Sequence, residues 1–94
     1  MNLFIYDKRL RIHVPHLQKP FEEYTQKEQD EILLHWESIR GNIPDKIKEL
    51  ESKIQLKQQL LYEEENFQTS CQLNEEIAEL ASIINDLWIW YRMP

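Results

Sequence analysis

Three histidines, one cysteine and three runs of adjacent glutamates are the side chains of this 94-residue chain whose types and spacing invite a chemical reading. His13 and His16 stand three apart, but Pro15 lies between them and breaks the regular helix that would align two imidazoles on one face. Two histidines do not hold a metal; a third or fourth ligand would have to come from His35, Glu22 or Glu23. The simpler reading is one histidine on a strand face and one at the surface. His35, beside Trp36, reads as a structural imidazole within a helix. Cys71 has acidic neighbours and no base to activate its thiol. With Gly41 as the only glycine, no glycine-rich phosphate loop can form. Glu63-Glu64 and Glu75-Glu76 read as solvated helix faces rather than as acid–base pairs. The expectation is a chain with no catalytic, cofactor-binding or metal-ligating residues, and so not an enzyme.

Composition narrows the class. Apolar residues make up 41% and charged residues 30%, which is enough to fold one small core and argues against wholesale disorder. A chain of this length is read as one domain, 1–94. A lone cysteine forms no internal disulfide, which points to a reducing, cytoplasmic location. Asp7, Lys8, Arg9 and Arg11 interrupt the first apolar stretch, so it does not read as a secretory leader. The apolar run Leu87 to Tyr91 is too short to span a bilayer. The net charge is −6, yet residues 1–20 carry +3, leaving −9 on the remainder. Such an acidic body repels phosphate backbones, and no nucleic-acid partner is expected. The basic arm has two readings: it lies against the acidic helices, or it reaches an acidic partner outside.

The elements follow from periodicity and punctuation. Residues 3–14 read as a short β-hairpin: Leu3-Phe4-Ile5-Tyr6, a turn at Asp7-Lys8, then perfect alternation from Arg9 to Val14. Pro15 and Pro20 bracket an extended connector. Thr25-Gln26-Lys27-Glu28 matches a capping box and opens a helix over 26–40, with Ile32, Leu33, Trp36 and Ile39 as its stripe. Gly41 is expected to end it as a left-handed cap. From Asp45 to Met93 there is neither glycine nor proline. One helix over that stretch would run about 73 Å, longer than a small domain is wide. Ile43, Ile47, Leu50, Ile54 and Leu61 keep a 3–4 spacing, and so do Leu73, Ile77, Leu80, Ile84, Leu87 and Tyr91. The two series are out of phase by about 120°, with the polar Glu63-Glu64-Glu65-Asn66 between them. This predicts helices over 44–64 and 67–92 joined by a turn near Asn66; a continuous helix with a phase shift is the alternative. The fold class is therefore mainly α: three helices, the last two a long antiparallel hairpin, after a short N-terminal β-hairpin.

Residues 47–80 resemble the UVR motif, the helical hairpin of the bacterial excision-repair proteins UvrB and UvrC. The likeness lies in Lys46-Ile47-Lys48-Glu49-Leu50-Glu51, in Asn66-Phe67 at the turn, and in Leu73-Asn74-Glu75-Glu76-Ile77-Ala78-Glu79-Leu80. Ser70-Cys71 replaces the family's small-residue pair, Asn74 its usual arginine, and the first helix lacks its methionine and alanines. The resemblance implies a hairpin that mediates protein–protein contact, as in an adaptor recruited to a repair or protease complex.

The C-terminal end carries the functional expectation. Ile84, Leu87 and Tyr91 belong to the stripe, whereas Trp88, Ile89 and Trp90 point elsewhere on the same helix. One hairpin cannot bury them all, and each aromatic hides roughly 150–250 Å² when covered. The cover is either the N-terminal hairpin with the first helix, or a second molecule. Leu87, Trp88, Trp90 and Tyr91 are accordingly the candidate partner-binding residues, and a homodimer is the favoured reading, with a heterologous protein partner as another. The strand at residues 9–14 offers a further route to pairing by strand addition. The function expected is protein–protein interaction or regulation; a UVR-like adaptor and a small-molecule or metal-binding protein using His13 and His16 are the alternatives.

Overall fold

The computed structural model describes residues 3–93. Among them the elements run β1 (Phe4–Asp7), β2 (Ile12–Pro15), a 3-10 turn (Phe21–Glu23), α1 (Gln26–Arg40), α2 (Ile43–Glu63) and α3 (Phe67–Arg92). The chain is mainly α-helical with an N-terminal antiparallel β-hairpin. Its contacts cluster into two compact units that divide between Asn42 and Ile43.

In the first unit β1 and β2 pair antiparallel, with Ile5 opposite Val14 and Tyr6 opposite His13. The connection is four residues, Lys8 to Arg11, rather than a tight turn at Asp7-Lys8. A two-residue hairpin turn needs positive φ at its centre, and no glycine is present to supply it. Asp7 builds the longer loop instead. Its carboxylate accepts from the backbone N–H groups of Arg9 and Leu10, each at 2.9 Å, and its carbonyl accepts from Arg11 N–H at 2.7 Å. Arg11 closes the loop in the left-handed region, φ 58°. That conformation costs a non-glycine residue roughly 1–2 kcal/mol, which the three Asp7 bonds offset at about 1 kcal/mol each. β2 is therefore shorter than the alternating run. The alternation nonetheless sorts the side chains, for Leu10, Ile12 and Val14 are buried while Arg9, Arg11 and His13 are exposed.

The connector before α1 does more than extend. Tyr24 is buried with Leu3 and Ile32 in one apolar cluster, against which Phe4, Leu17 and Phe21 pack. The Tyr24 hydroxyl accepts from Gln18 N–H at 3.0 Å, and the Lys19 ammonium lies 4.8 Å from its ring centre. The capping box forms in full: Glu28 N–H donates to the Thr25 hydroxyl at 3.2 Å, and Thr25 N–H to the Glu28 carboxylate at 3.0 Å. Along α1, Ile32 and Trp36 are buried and Ile39 is half-buried, but Leu33 is exposed and drops out of the expected stripe. It sits about 90° round the helix from the line joining the other three. Gly41 also departs from expectation: its φ of −62° and ψ of −22° are right-handed. The last carbonyls of α1 are met without a left-handed residue, Glu37 by Gly41 N–H, Ile39 by Asn42 N–H and Ser38 by the Asn42 side-chain amide.

The Glu28 contact has a pH signature. The backbone N–H of Thr25, then its hydroxyl, favour the ionised carboxylate and hold its pKa below the ordinary glutamate value. A depressed carboxylate pKa contributes stability that is present at neutral pH and lost as pH falls through the folded-state value. The stability gap between the wild type and Glu28→Gln, read by urea denaturation, should accordingly narrow from pH 7 to pH 3; a gap that widens on acidification contradicts the assignment.

In the second unit the breaker-free stretch forms two helices, not one. The chain leaves helix over Glu64-Glu65-Asn66, where Asn66 caps α3 by accepting from Thr69 N–H at 3.1 Å. Asn66 N–H in turn donates to the Glu64 carboxylate at 2.9 Å. α2 and α3 pack against each other, and the Lys57 ammonium meets the Glu76 carboxylate at 2.8 Å across the hairpin. A partly exposed pair of this kind adds only some tenths of a kcal/mol. Its value is as a register mark: an antiparallel pairing through it brings Ile54, Leu50 and Ile47 to within about one residue's rise of Leu80, Ile84 and Leu87 in turn. Ile43, Ile47 and Leu87 are the most deeply buried large side chains among the described residues.

Candidate interaction surface

The end of α3 presents a mixed surface built by helical phase. Leu87 continues the 3–4 series of Leu73, Leu80 and Ile84 and is fully buried at 0% exposure. It lies beneath the surface rather than on it, a correction to its expected role in partner contact. Trp88, one residue on, is turned about 100° and is 37% exposed. Ile89 and Met93 are exposed beside it at 44% and 41%, while Trp90 and Tyr91 are half-buried. The Trp88 and Tyr91 rings meet edge to face with centroids 5.5 Å apart, which holds the indole in place. The Trp88 carbonyl accepts from Arg92 Nε at 3.3 Å, which draws that guanidinium back along the helix. Of the four expected residues, then, Trp88 is exposed, Trp90 and Tyr91 are half-buried, and Leu87 is fully buried. Met93, immediately after α3, was not among the expected residues, because it lies beyond Tyr91, the last member of the 3–4 series.

A second apolar patch lies on α2. Leu56, Leu60 and Tyr62 are 60%, 51% and 93% exposed, and with Gln55, Gln59 and Glu63 they line an open concavity. Phe67, which opens α3, is 80% exposed. The signal for this patch was present in the sequence: Leu56 and Leu60 fall out of phase with the Ile54–Leu61 stripe.

His16 stands apart from the other two histidines. His13 and His35 line one cavity in the first unit together with Leu3, Phe4, Glu28, Glu31 and Ile32. Each ring meets an aromatic neighbour edge to face, His35 with Phe4 at 4.4 Å and His13 with Tyr6 at 5.1 Å between centroids. His16 is exposed, with its backbone N–H donating to the Leu3 carbonyl at 2.8 Å. Among the described residues no group of three or more histidine, cysteine, aspartate or glutamate side chains is placed to hold a metal ion. Cys71 is an exposed thiol.

The fold and surface define a mainly α-helical chain bearing an antiparallel helical hairpin, and no helix among the described residues is long and apolar enough to cross a membrane. No protein-family model, curated protein or solved structure matches the chain.

Proposed function

We propose that this is a non-enzymatic interaction protein that acts as a homodimer through the outer side of the C-terminal end of α3. The observation that carries the reading is Trp88 standing exposed beside Ile89 and Met93, over a fully buried Leu87. Tryptophan on a rigid helix is well suited to an interface centre, since it brings large area at little loss of side-chain freedom. The lone cysteine supports a reducing, cytoplasmic setting.

Absolute mass by light scattering tests this. The intact chain should scatter near twice its 11.5 kDa. Trp88→Ala combined with Ile89→Ala should return it to the mass of one chain with an unchanged helical circular dichroism spectrum. A single-chain mass for the wild type at every concentration would remove the dimer from consideration.

The antiparallel hairpin with its break at Glu64-Glu65-Asn66 favours a second reading, an adaptor of the UVR kind that docks on a like hairpin of another protein. Binding of the chain to a purified UVR hairpin would support it.

A further inference from the structure

α3 has two seams. The inner one, Leu73 to Tyr91, faces α2. A second 3–4 series starts at Phe67 and ends at Arg92, and every member of it is exposed. The acidic residues of α3, Glu75, Glu76, Glu79 and Asp86, all fall outside this outer series. A carboxylate-free exposed seam on an otherwise acidic helix suits a docking face, because carboxylates at its centre would have to be stripped of water.

Resting on the homodimer reading, we propose that the outer seam of α3 packs antiparallel against the same seam of a second copy, with Ala78 facing Ala81 across a two-fold axis. The sequence is self-complementary in that register. Ala78 against Ala81 of the second copy lets the helix axes approach closely at the centre. One step outward, Asn74 faces Asn85, and two side-chain amides can satisfy each other. Next, Cys71 faces Trp88, a small side chain opposite the largest. At the ends Phe67 faces Arg92, whose guanidinium can lie over the ring.

Charge selects the same arrangement. Arg92 is the only lysine or arginine in α3, and in this register it approaches Glu63-Glu64-Glu65 of the second copy. A parallel pair would instead set Arg92 beside Arg92 and one acidic tip beside the other, which is repulsive. Shifting the antiparallel register by one heptad in either direction leaves Phe67 or the Trp88–Arg92 end without a counterpart. All eight positions are used only when Ala78 and Ala81 face each other. The paired length is about 38 Å.

Cysteine cross-linking of the full chain reads the register. Cys71→Ser/Asn74→Cys and Cys71→Ser/Asn85→Cys are prepared separately and as an equal mixture, then oxidised and run on a non-reducing gel. Both asparagines are exposed, so the core is untouched. In the proposed register residue 74 reaches residue 85 of the second copy, within range of a disulfide. Residue 74 is roughly 16 Å along the axis from its own counterpart. The mixture should therefore yield several-fold more cross-linked dimer than either variant alone. Equal cross-linking of each variant by itself would show a parallel pair and overturn the proposal. A wild-type chain that is dimeric by mass, with no cross-link in the mixture, places the interface elsewhere and overturns the register while sparing the homodimer. A single-chain mass for the wild type removes both.

Discussion

Truncating Leu87 to alanine should destabilise the protein by about 2–5 kcal/mol, the range for removing a buried aliphatic side chain without collapse of the space it leaves. Leu87 is fully buried, and Ile47, within about one residue's rise of it across the α2–α3 hairpin, is 2% exposed. Removing either leaves a void that the two helices cannot close without disturbing the layers above and below. Trp88→Ala, one position along, deletes a larger side chain from a 37% exposed site and should destabilise the monomer less than Leu87→Ala does. Urea midpoints for both variants, with Ile47→Ala and the Leu87→Ala/Ile47→Ala pair, check this. The double variant should fall short of the sum of the singles, since both open the same space. An additive pair, or a Leu87→Ala effect below about 1 kcal/mol, would mean that the two side chains do not share a layer.

Trp36→Ala is the second large effect, at about 3–5 kcal/mol for a buried tryptophan. Trp36 is 4% exposed on α1, one turn after the buried Ile32. Leu34, two residues before it, is 71% exposed, and Leu34→Ala should stay within about 0.5 kcal/mol of the wild type. Thermal unfolding followed by circular dichroism separates the two, independently of the other tryptophans. Comparable losses at both positions would contradict the helical phase assigned to α1.

The stripe of α3 was legible because its members repeat every three or four residues, and helix geometry alone puts them on one side. The Thr25–Glu28 cap and the break at Asn66 were legible for a related reason: side-chain bonds to backbone three residues away need no distant partner. Leu33 was misplaced because two consecutive leucines at 33 and 34 give no phase of their own. Tyr24 passed unnoticed because its burial depends on Leu3, far back in the chain, and on Ile32 ahead of it. The candidate surface was half legible. The phase that sets Leu87 in the stripe and Trp88 outside it could be read directly, but how far Trp88 stands exposed, and that Trp90 is half-buried, could not.

By itself, then, the sequence determined the helical hairpin, the capping of α1, the alternation that buries Leu10, Ile12 and Val14, and the absence of a glycine-rich phosphate loop. Each of these rests on interactions within a few residues or on composition. Only the structure decided that the β-hairpin turns through four residues on the Asp7 carboxylate, that Gly41 stays right-handed, that Tyr24 is buried with Leu3 and Ile32, and how deeply Trp88 and Trp90 lie. The first two turn on local backbone geometry that residue types alone leave open; the burials depend on groups that meet across the fold, as Lys57 and Glu76 do from nineteen positions apart, and distance along a chain carries no record of them.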